Sequence, residues 1–486
     1  VSATTEKLFL SFTLRDEEGS VLRPLGNIAA IKAMLPQLIE EGGALAPEES
    51  AVAPIAAAPA LDAIAQFLSQ GSIPDHWQDA WAHLCHDPVW ADQAMQVFLA
   101  AGGESRPEVI PANLATALYA RDTTSVSRLE TFAWCPFKHY VTYGLKPLPN
   151  LEWLVLPNDR GLFYHEVLER FVLEAVRTPG WPDVDREVTD ALVEELSTPA
   201  LVERIGTPFH DNERTAYSVR AMKNVVRRIA WMITKGAQGS AFRPAMAEVR
   251  FGYAVPNGLP PVTLTLRDGT ALNVHGLIDR IDLYAGPEGR YLRVVDYKSG
   301  NQQLMGERVL GGQQLQLLIY MEAALQTDAR YEAAGAFYQH LEDPVVREED
   351  PVKAEQMIEK QLRLKGIALN DRRVHDLMED PAKPLTLRTR FKANGEPYAG
   401  DPLFSREEIH AFGSFARQKA GQLADDLLDG AVRRRPAMDK NGRGPCDYCE
   451  YAGICRRDAL DIMRDARLLE PISLHALAQD LTGMHR

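Results

Sequence analysis

Cysteine is scarce in this sequence, with five in 486 residues. That is too few for a disulfide framework, and with no export signal in view it points to a reducing compartment. Long apolar runs are missing too: no stretch approaches the ~18 consecutive apolar residues of a membrane span. Positive charge does not dominate, because 53 Lys and Arg face 67 Asp and Glu, a net charge of −14. This excludes a protein that coats nucleic acid over its whole surface, but not a local basic channel. No G-x-x-x-x-G-K-[ST] occurs, so the sequence has no ATPase-type phosphate loop. No basic segment followed by an apolar core opens the chain. Val1 stands where a methionine would, so a processed, trimmed or partial chain is expected.

What is present is ordinary globular material, 45% hydrophobic and 25% charged. At roughly 100–200 residues per domain, the length allows about two to four domains. Alternation in Leu8–Phe12 reads as a strand and Ile28–Leu38 as helical, with a linker-like stretch over 41–60. From Leu61 to about Leu118 the pattern is helical, with Trp77, Trp81 and Trp90 as packing anchors. A boundary is expected near residue 120. Just beyond it, Ser127 and Glu130 have the spacing of a capping box.

Residues 158–178 read as an amphipathic helix whose apolar face carries Tyr164, His165, Leu168 and Phe171. A second helix, about Glu213–Thr234, is basic on one side through Arg220, Lys223, Arg227 and Arg228. The period then changes to that of strands over Ala247–Val255, Val262–Leu266, Leu272–Tyr284 and Tyr291–Tyr297, with turn signals between. A helix about Gln313–Leu325, a strand near Ala334–His340 and a long helix about Ser405–Gly430 follow. This order predicts an α/β core with a mixed sheet.

The most informative residues are Asp279 and Asp282 in one apolar strand and Asp296-Tyr297-Lys298 in the next. Side chains two apart share a face of a strand, so Asp296 and Lys298 do. If the strands are neighbours, Asp279 converges with them. Two carboxylates and an ammonium at one spot suit a hard divalent cation such as Mg²⁺, which takes oxygen ligands. The ordinary reading of any single such aspartate is a strand-end charge paired with Arg280 or Arg293. His165, on an apolar helix face, would by itself be a satisfied core histidine.

Taken together, Asp279…Asp296-Tyr297-Lys298 resembles the PD-(D/E)XK nuclease signature. Gly161–Glu169, with its His165, and Gln316-x-x-x-Tyr320 resemble the flanking helices of RecB-type members. The resemblance runs over about residues 125–455. It implies a nuclease core, a mixed central sheet flanked by helices, over 121–465. A mostly helical helicase-like remnant or accessory region over 1–120 would precede it, and a tail over 466–486 would follow. It further implies that His165, Asp279, Asp296 and the Tyr297 carbonyl bind Mg²⁺, with Mn²⁺ as a substitute. Lys298 would assist the attacking water, and Gln316 and Tyr320 would lie beside the site. Glu248 matches an acidic position frequent in the family.

Cys446-x₂-Cys449-x₅-Cys455 lies near the C-terminus, and Cys135 stands far upstream in Trp134-Cys135-Pro136-Phe137. Thiolates this close in sequence are metal or cluster ligands far more often than chance neighbours. Four thiolates suit Zn²⁺ or a [4Fe–4S] cluster. The pattern is similar to the iron–sulfur staple of AddB-type helicase–nuclease subunits, and CRISPR-associated exonucleases share it. The resemblance therefore implies a structural [4Fe–4S] cluster. Cys85 reads as an ordinary buried cysteine.

Residues 433–457 hold seven basic residues, Arg433, Arg434, Arg435, Lys440, Arg443, Arg456 and Arg457, against three acidic ones. Arg388, Arg390 and Lys392 form a second basic group. Phosphates are natural partners for such patches, and a solvated surface is the competing reading.

The resemblance implies Mg²⁺-dependent exonuclease action on single-stranded DNA ends, on the 5′-ended strand, in double-strand-break repair. It also implies a helicase partner subunit of AddA type, a cytoplasmic bacterial location and no membrane. The rival readings are a DNA-binding structural subunit with an inactive site, a zinc-stapled subunit without chemistry, and a stand-alone CRISPR-associated-type exonuclease.

Overall fold

The computed structural model describes residues 56–69, 72–101, 109–119, 122–147, 157–205, 213–300, 302–455 and 465–483, with Ile31, Met34 and Leu35. The strand expected at Leu8–Phe12 and most of the helix expected at Ile28–Leu38 lie outside the described residues. The chain divides into two units, Val1–Arg106 and Pro107–Arg486.

In the first unit, helices α1 (Ala57–Ser69), α2 (Gln78–His86) and α3 (Ala91–Ala101) pack around Ile64, Phe67, Trp77 and Leu84. The Trp77 ring lies 5.4 Å from that of Phe67, while Trp81 and Trp90 are half-buried at the margin. Cys85 packs half-buried against the same cluster.

The second unit is built on one mixed sheet. After α4 (Ala112–Tyr119), a short strand β1 (Thr123–Ser125) pairs in parallel with β4 (Ala271–Gly286). That pairing holds Ser125 extended, so the helix α5 (Val126–Trp134) starts directly after it. The capping side chain is therefore Ser125, which accepts from the Arg128 N–H, and not Ser127, which lies inside the helix.

Three helices follow, α6 (Pro157–Ala175), α7 (Arg186–Ile205) and α8 (Glu213–Gln238). The basic stripe read along α8 is largely spent on ion pairs. Lys223 and Arg227 both meet Glu194 of α7 at 2.5 Å, and Arg228 meets Glu355 at 2.6 Å.

Strands β2 (Arg243–Phe251) and β3 (Val262–Thr265) both pair antiparallel with the long β4, which continues antiparallel into β5 (Gly289–Lys298). Helix α9 (Gln316–Leu325) then crosses over to β6 (Glu332–His340), which pairs in parallel with β5. Strands β7 (Lys365–Leu369) and β8 (Leu403–Phe404) extend the far side, and α10 (Arg406–Leu428) closes the layer. The α/β mixed-sheet architecture read from the sequence is the one observed.

Each layer follows from side-chain period. β5 is buried on both faces over Tyr291–Tyr297, and α9 buries Leu317–Met321, so both lie inside the unit. Gly276 lets the layers close: a Cβ there would stand 2.6 Å from the Phe251 ring and 3.1 Å from that of Tyr320. Helix Leu474–Gly483 inserts Leu477, Ala478 and Leu481 into the same core. Among the described residues, no helix is long and apolar enough to cross a membrane.

His139 is buried among the rings of Tyr119, Phe132 and Tyr143, with no hydrogen-bond partner on either ring nitrogen among the described residues. Burial, aided by the Arg128 charge, pushes its pKa down to about 3. A depressed histidine contributes stability that is whole above its ordinary value near 6.5 and lost as pH falls toward 3. His139→Phe should therefore lose less stability than wild type between about pH 6.5 and 4, read by thermal melts across that range.

Candidate active site

Four elements, β2, β4, β5 and α6, bring the site residues together. The antiparallel register of β4 and β5 runs through Arg280 opposite Val295, so its next step sets Asp279 opposite Asp296. The register of β2 and β4 places Ala247 opposite Arg280 and Val249 opposite Ile278, so Glu248 faces Asp279 from the other side. Helix α6 then presents His165 from one turn of its half-buried face.

The Nδ1 of His165 lies 3.2 Å from Asp279 Oδ1 and 3.4 Å from Glu248 Oε1. Among the described residues, His165, Glu248 and Asp279 are the one set of three metal-ligating side chains whose donor atoms all fall within 4.8 Å. The other Asp279 oxygen accepts from the Tyr297 N–H at 2.5 Å, which fixes the carboxylate. Burial alone would lower the His165 pKa, but the hydrogen bonds and charges of Asp279 and Glu248 outweigh it and raise it to about 10. Two carboxylates thus surround the imidazole. Carboxylate oxygens suit a hard divalent ion such as Mg²⁺ or Mn²⁺, and an imidazole nitrogen beside them adds a borderline donor.

Glu248 has φ +48, a left-handed backbone that costs a residue with a Cβ about 1–2 kcal/mol. The strain sits at the residue whose carboxylate completes the cluster, a common association at functional sites.

The second half of the site is a chain of hydrogen bonds on the α9 side of the sheet. Lys298 Nζ meets Asp296 Oδ2 at 2.6 Å and donates to Gln316 Oε1 at 2.7 Å. Gln316 Nε2 in turn donates to the Tyr320 hydroxyl at 2.8 Å. Burial pushes the Asp296 carboxyl up to about 6 despite the Lys298 ammonium, with Asp279 adding to the rise. For Lys298, burial works against the charged form, but Asp296 prevails and its pKa is raised. Lys298 is therefore an ammonium at neutral pH, a donor and not a base.

The opposite face of the same strands carries a buried triad. Asp282 accepts from Arg293 Nε at 2.8 Å and lies 2.9 Å from Arg280 Nε, while Arg280 donates to the Tyr297 hydroxyl at 3.3 Å. Asp282 is thus a partner of the arginines, turned away from the ligand cluster.

All of His165, Asp279, Asp296, Tyr297, Lys298, Gln316 and Tyr320 fall in this one region. Glu248, read from the sequence only as a frequent acidic position, is placed as closely as His165. Glu130 escaped the sequence reading. Its spacing from Ser127 suggested a local cap, yet its carboxylate accepts from the N–H groups of Leu315 and Gln316.

The cysteines form a second locus. Cys135 caps the end of α5, and the Phe137 N–H donates to the Arg433 carbonyl at 3.1 Å. Arg434 donates to the Cys455 carbonyl at 3.2 Å. Burial raises the Cys135 thiol, with Cys455 and Cys449 adding to it. Burial likewise pushes Cys446 up to about 12, with Cys135, Cys449 and Cys455 contributing. Cys135 and Cys446 thus both lie near Cys449 and Cys455.

Replacing Glu248 should separate its two roles. Glu248→Ala should weaken Mn²⁺ binding about tenfold or more by calorimetry. Glu248→Gly, free of the φ penalty, should be about 1 kcal/mol more stable than Glu248→Ala by denaturant melts. Equal Mn²⁺ affinity in wild type and Glu248→Ala would remove Glu248 from the ligand set.

With the geometry established, comparison with known proteins is informative. The sequence profile of the PD-(D/E)XK nuclease superfamily matches residues 123–456. Proteins named as a subunit of an ATP-dependent helicase/deoxyribonuclease are similar over 94% of the chain. Those of Clostridioides difficile strain 630, Alkaliphilus oremlandii and Thermoanaerobacter sp. strain X514 are 26%, 29% and 28% identical. The chain covers 42%, 41% and 41% of these relatives, about two fifths of their length.

Proposed function

The chain belongs to the PD-(D/E)XK nuclease superfamily, and we propose that it hydrolyses DNA phosphodiester bonds as the nuclease portion of a helicase–nuclease subunit. The observation that carries this is the convergence of His165, Glu248 and Asp279 beside the Asp296–Lys298–Gln316–Tyr320 chain. The ion would be Mg²⁺, with Mn²⁺ as a substitute, held by His165, Asp279, Asp296 and the Tyr297 carbonyl together with Glu248. Such an ion, when bound, supplies Lewis acidity toward a phosphate oxygen and lowers the pKa of water.

The protein's own groups do the rest. Lys298, fixed by Asp296 and Gln316, directs N–H bonds to the attacking water and to the charge that builds on phosphorus oxygens. A donor already held in place gives up no reorganisation energy at the moment of reaction. Tyr320 supports Gln316 from behind, and its burial raises the hydroxyl pKa, so it stays a neutral hydrogen-bonding group.

The substrate in this reading is single-stranded DNA ends exposed by a helicase partner of AddA type, during repair and recombination. The relatives' names, which join helicase to deoxyribonuclease and call the protein a subunit, support that assembly. Exposed Arg433, Arg435, Lys440 and Arg443 support a phosphate track near the cysteines. In this reading the nuclease spans 121–465 after an accessory or helicase-like remnant over 1–120, and residues 466–486 are a C-terminal segment whose helix Leu474–Gly483 packs into the same core.

In the same reading Cys135, Cys446, Cys449 and Cys455 carry a structural [4Fe–4S] cluster. Four thiolates on one Zn²⁺ would stand about 3.8 Å apart, given Zn–S bonds near 2.3 Å. A cubane spreads them wider, because each hangs on its own iron. Cys449 and Cys455 both act on the Cys135 thiol, and all three act on Cys446, which supports one shared site.

Two experiments test this reading. On end-labelled single-stranded DNA with Mg²⁺, Lys298→Ala and Asp296→Ala should cut ~10²–10³-fold more slowly while DNA affinity stays within about threefold. Wild-type cleavage rates in Lys298→Ala would overturn the assignment. For the cysteines, Cys135→Ala should lose iron and absorbance near 400 nm and become protease-sensitive as a unit over 121–460. Normal iron content would remove Cys135 from the cluster.

A further inference from the structure

Helix α9 begins without a cap of its own: Leu315 precedes it and supplies no side-chain acceptor for its first N–H groups. Unpaired amides at a helix start cost free energy unless something else accepts from them. Here the acceptor comes from a distant helix. Glu130 Oε1 on α5 accepts from the Leu315 N–H at 2.6 Å and from the Gln316 N–H at 2.7 Å. A third bond joins the same two segments, from Gln313 Nε2 to the Ala133 carbonyl at 2.9 Å.

Gln316 is thus held at both ends. Its backbone is fixed by Glu130, and its side chain receives the Lys298 ammonium and donates to Tyr320. Helix α5 starts from Ser125 in the sheet, and at its other end the Ala133 carbonyl accepts from Gln313 and Arg467, while the Phe137 N–H just beyond Cys135 donates to the Arg433 carbonyl. One short helix therefore connects the segment around Cys135 to the residue that orients the lysine. Burial pushes the Glu130 carboxyl up to about 7, while the N–H groups of Gln316 and Leu315 and the nearby Lys298 pull it down. A single acceptor oxygen serves both amides, so the arrangement needs that oxygen more than it needs a full charge.

We propose that Glu130 is a positioning residue for cleavage, holding Lys298 in place through Gln316 and making that hold depend on the cysteine-anchored end of α5. This rests on the nuclease reading above. Among the described residues, Glu130 hydrogen-bonds to neither the ligand cluster nor the lysine; its hydrogen bonds reach the site through the α9 start, and its carboxyl lies near enough to Lys298 for their charges to interact.

The test uses the full chain on end-labelled single-stranded DNA with Mg²⁺, with amide hydrogen exchange measured in parallel. Glu130→Ala should lower kcat by about 10–100-fold with KM within about threefold, as expected for a misplaced catalytic group. Glu130→Gln keeps the acceptor oxygen and should retain kcat within about threefold of wild type. In a Gln316→Ala background, Glu130→Ala should cost less than about twofold more, because both act through one residue. Exchange at the Leu315 and Gln316 amides should speed up about tenfold or more in both Glu130→Ala and Cys135→Ala.

Wild-type kcat in Glu130→Ala, or fully multiplicative losses with Gln316→Ala, would overturn the positioning role. Unchanged exchange at Leu315 and Gln316 in Cys135→Ala would overturn the link to the cysteines. If Glu130→Ala does not fold, Glu130→Asp, shorter by one methylene, replaces it: a kcat equal to wild type would overturn the proposal. Absence of cleavage by wild type itself would defeat the nuclease reading, and the positioning role with it. The exchange measurement would still decide whether Glu130 couples the two helices.

Discussion

The pairing of β4 with β5 is the constraint on which the site depends. Its register sets Asp279 opposite Asp296, and the Tyr297 N–H donates into the Asp279 carboxylate across the gap. A one-residue slip of β5 against β4 would turn Asp296 to the face opposite Asp279, because side chains alternate along a strand. The lysine, two residues beyond Asp296, would move with it. No local feature of α6 or α9 could restore the site after such a slip.

The strands carry charge on both faces, and the two faces answer different demands. On one, Asp279 and Asp296 are held with unspent acceptor capacity beside a fixed ammonium. On the other, Asp282 is shared between Arg280 and Arg293 beneath α8, and every member is buried. Buried ions are costly to desolvate, and breaking such a group is more destabilising than never having formed it. Asp282 and Arg293 stand directly opposite each other in the β4–β5 register. Any other register would leave these charges unpaired in the interior. The triad thus penalises the slips that would scatter the aspartates.

The second organising feature is the reach of short segments across the unit. Strand β1 and helix α5 together span only Thr123–Trp134, yet they pair with β4, cap α9 and lead into Cys135. The far end of the chain returns to the same place. The Arg433 carbonyl accepts from Phe137, and Arg467 donates to the Ala133 carbonyl. The cysteine locus and the lysine are therefore two ends of one packed region.

The sequence by itself determined what repeats locally. Strand alternation placed Asp296 and Lys298 on one face, the helical period placed His165 on the half-buried side of α6, and close spacing marked the three C-terminal cysteines. These are short-range properties of the chain, written in the order of neighbouring residues. Tertiary structure decided what stands opposite each face. Glu248 joins His165 and Asp279 only because β2, past a register shift between Pro244 and Met246, pairs Ala247 and Val249 with Arg280 and Ile278 of β4, with Glu248 in a left-handed conformation between them. The sequence showed one side of α8 to be basic, but Glu194 and Glu355 from other helices neutralise much of it. Glu130 had the spacing of a local cap. Once β1 fixed Ser125 as the cap, its carboxylate was free to serve a helix far along the chain. A residue's period says which way it points, but its partner is set by long-range packing, which no window of sequence contains.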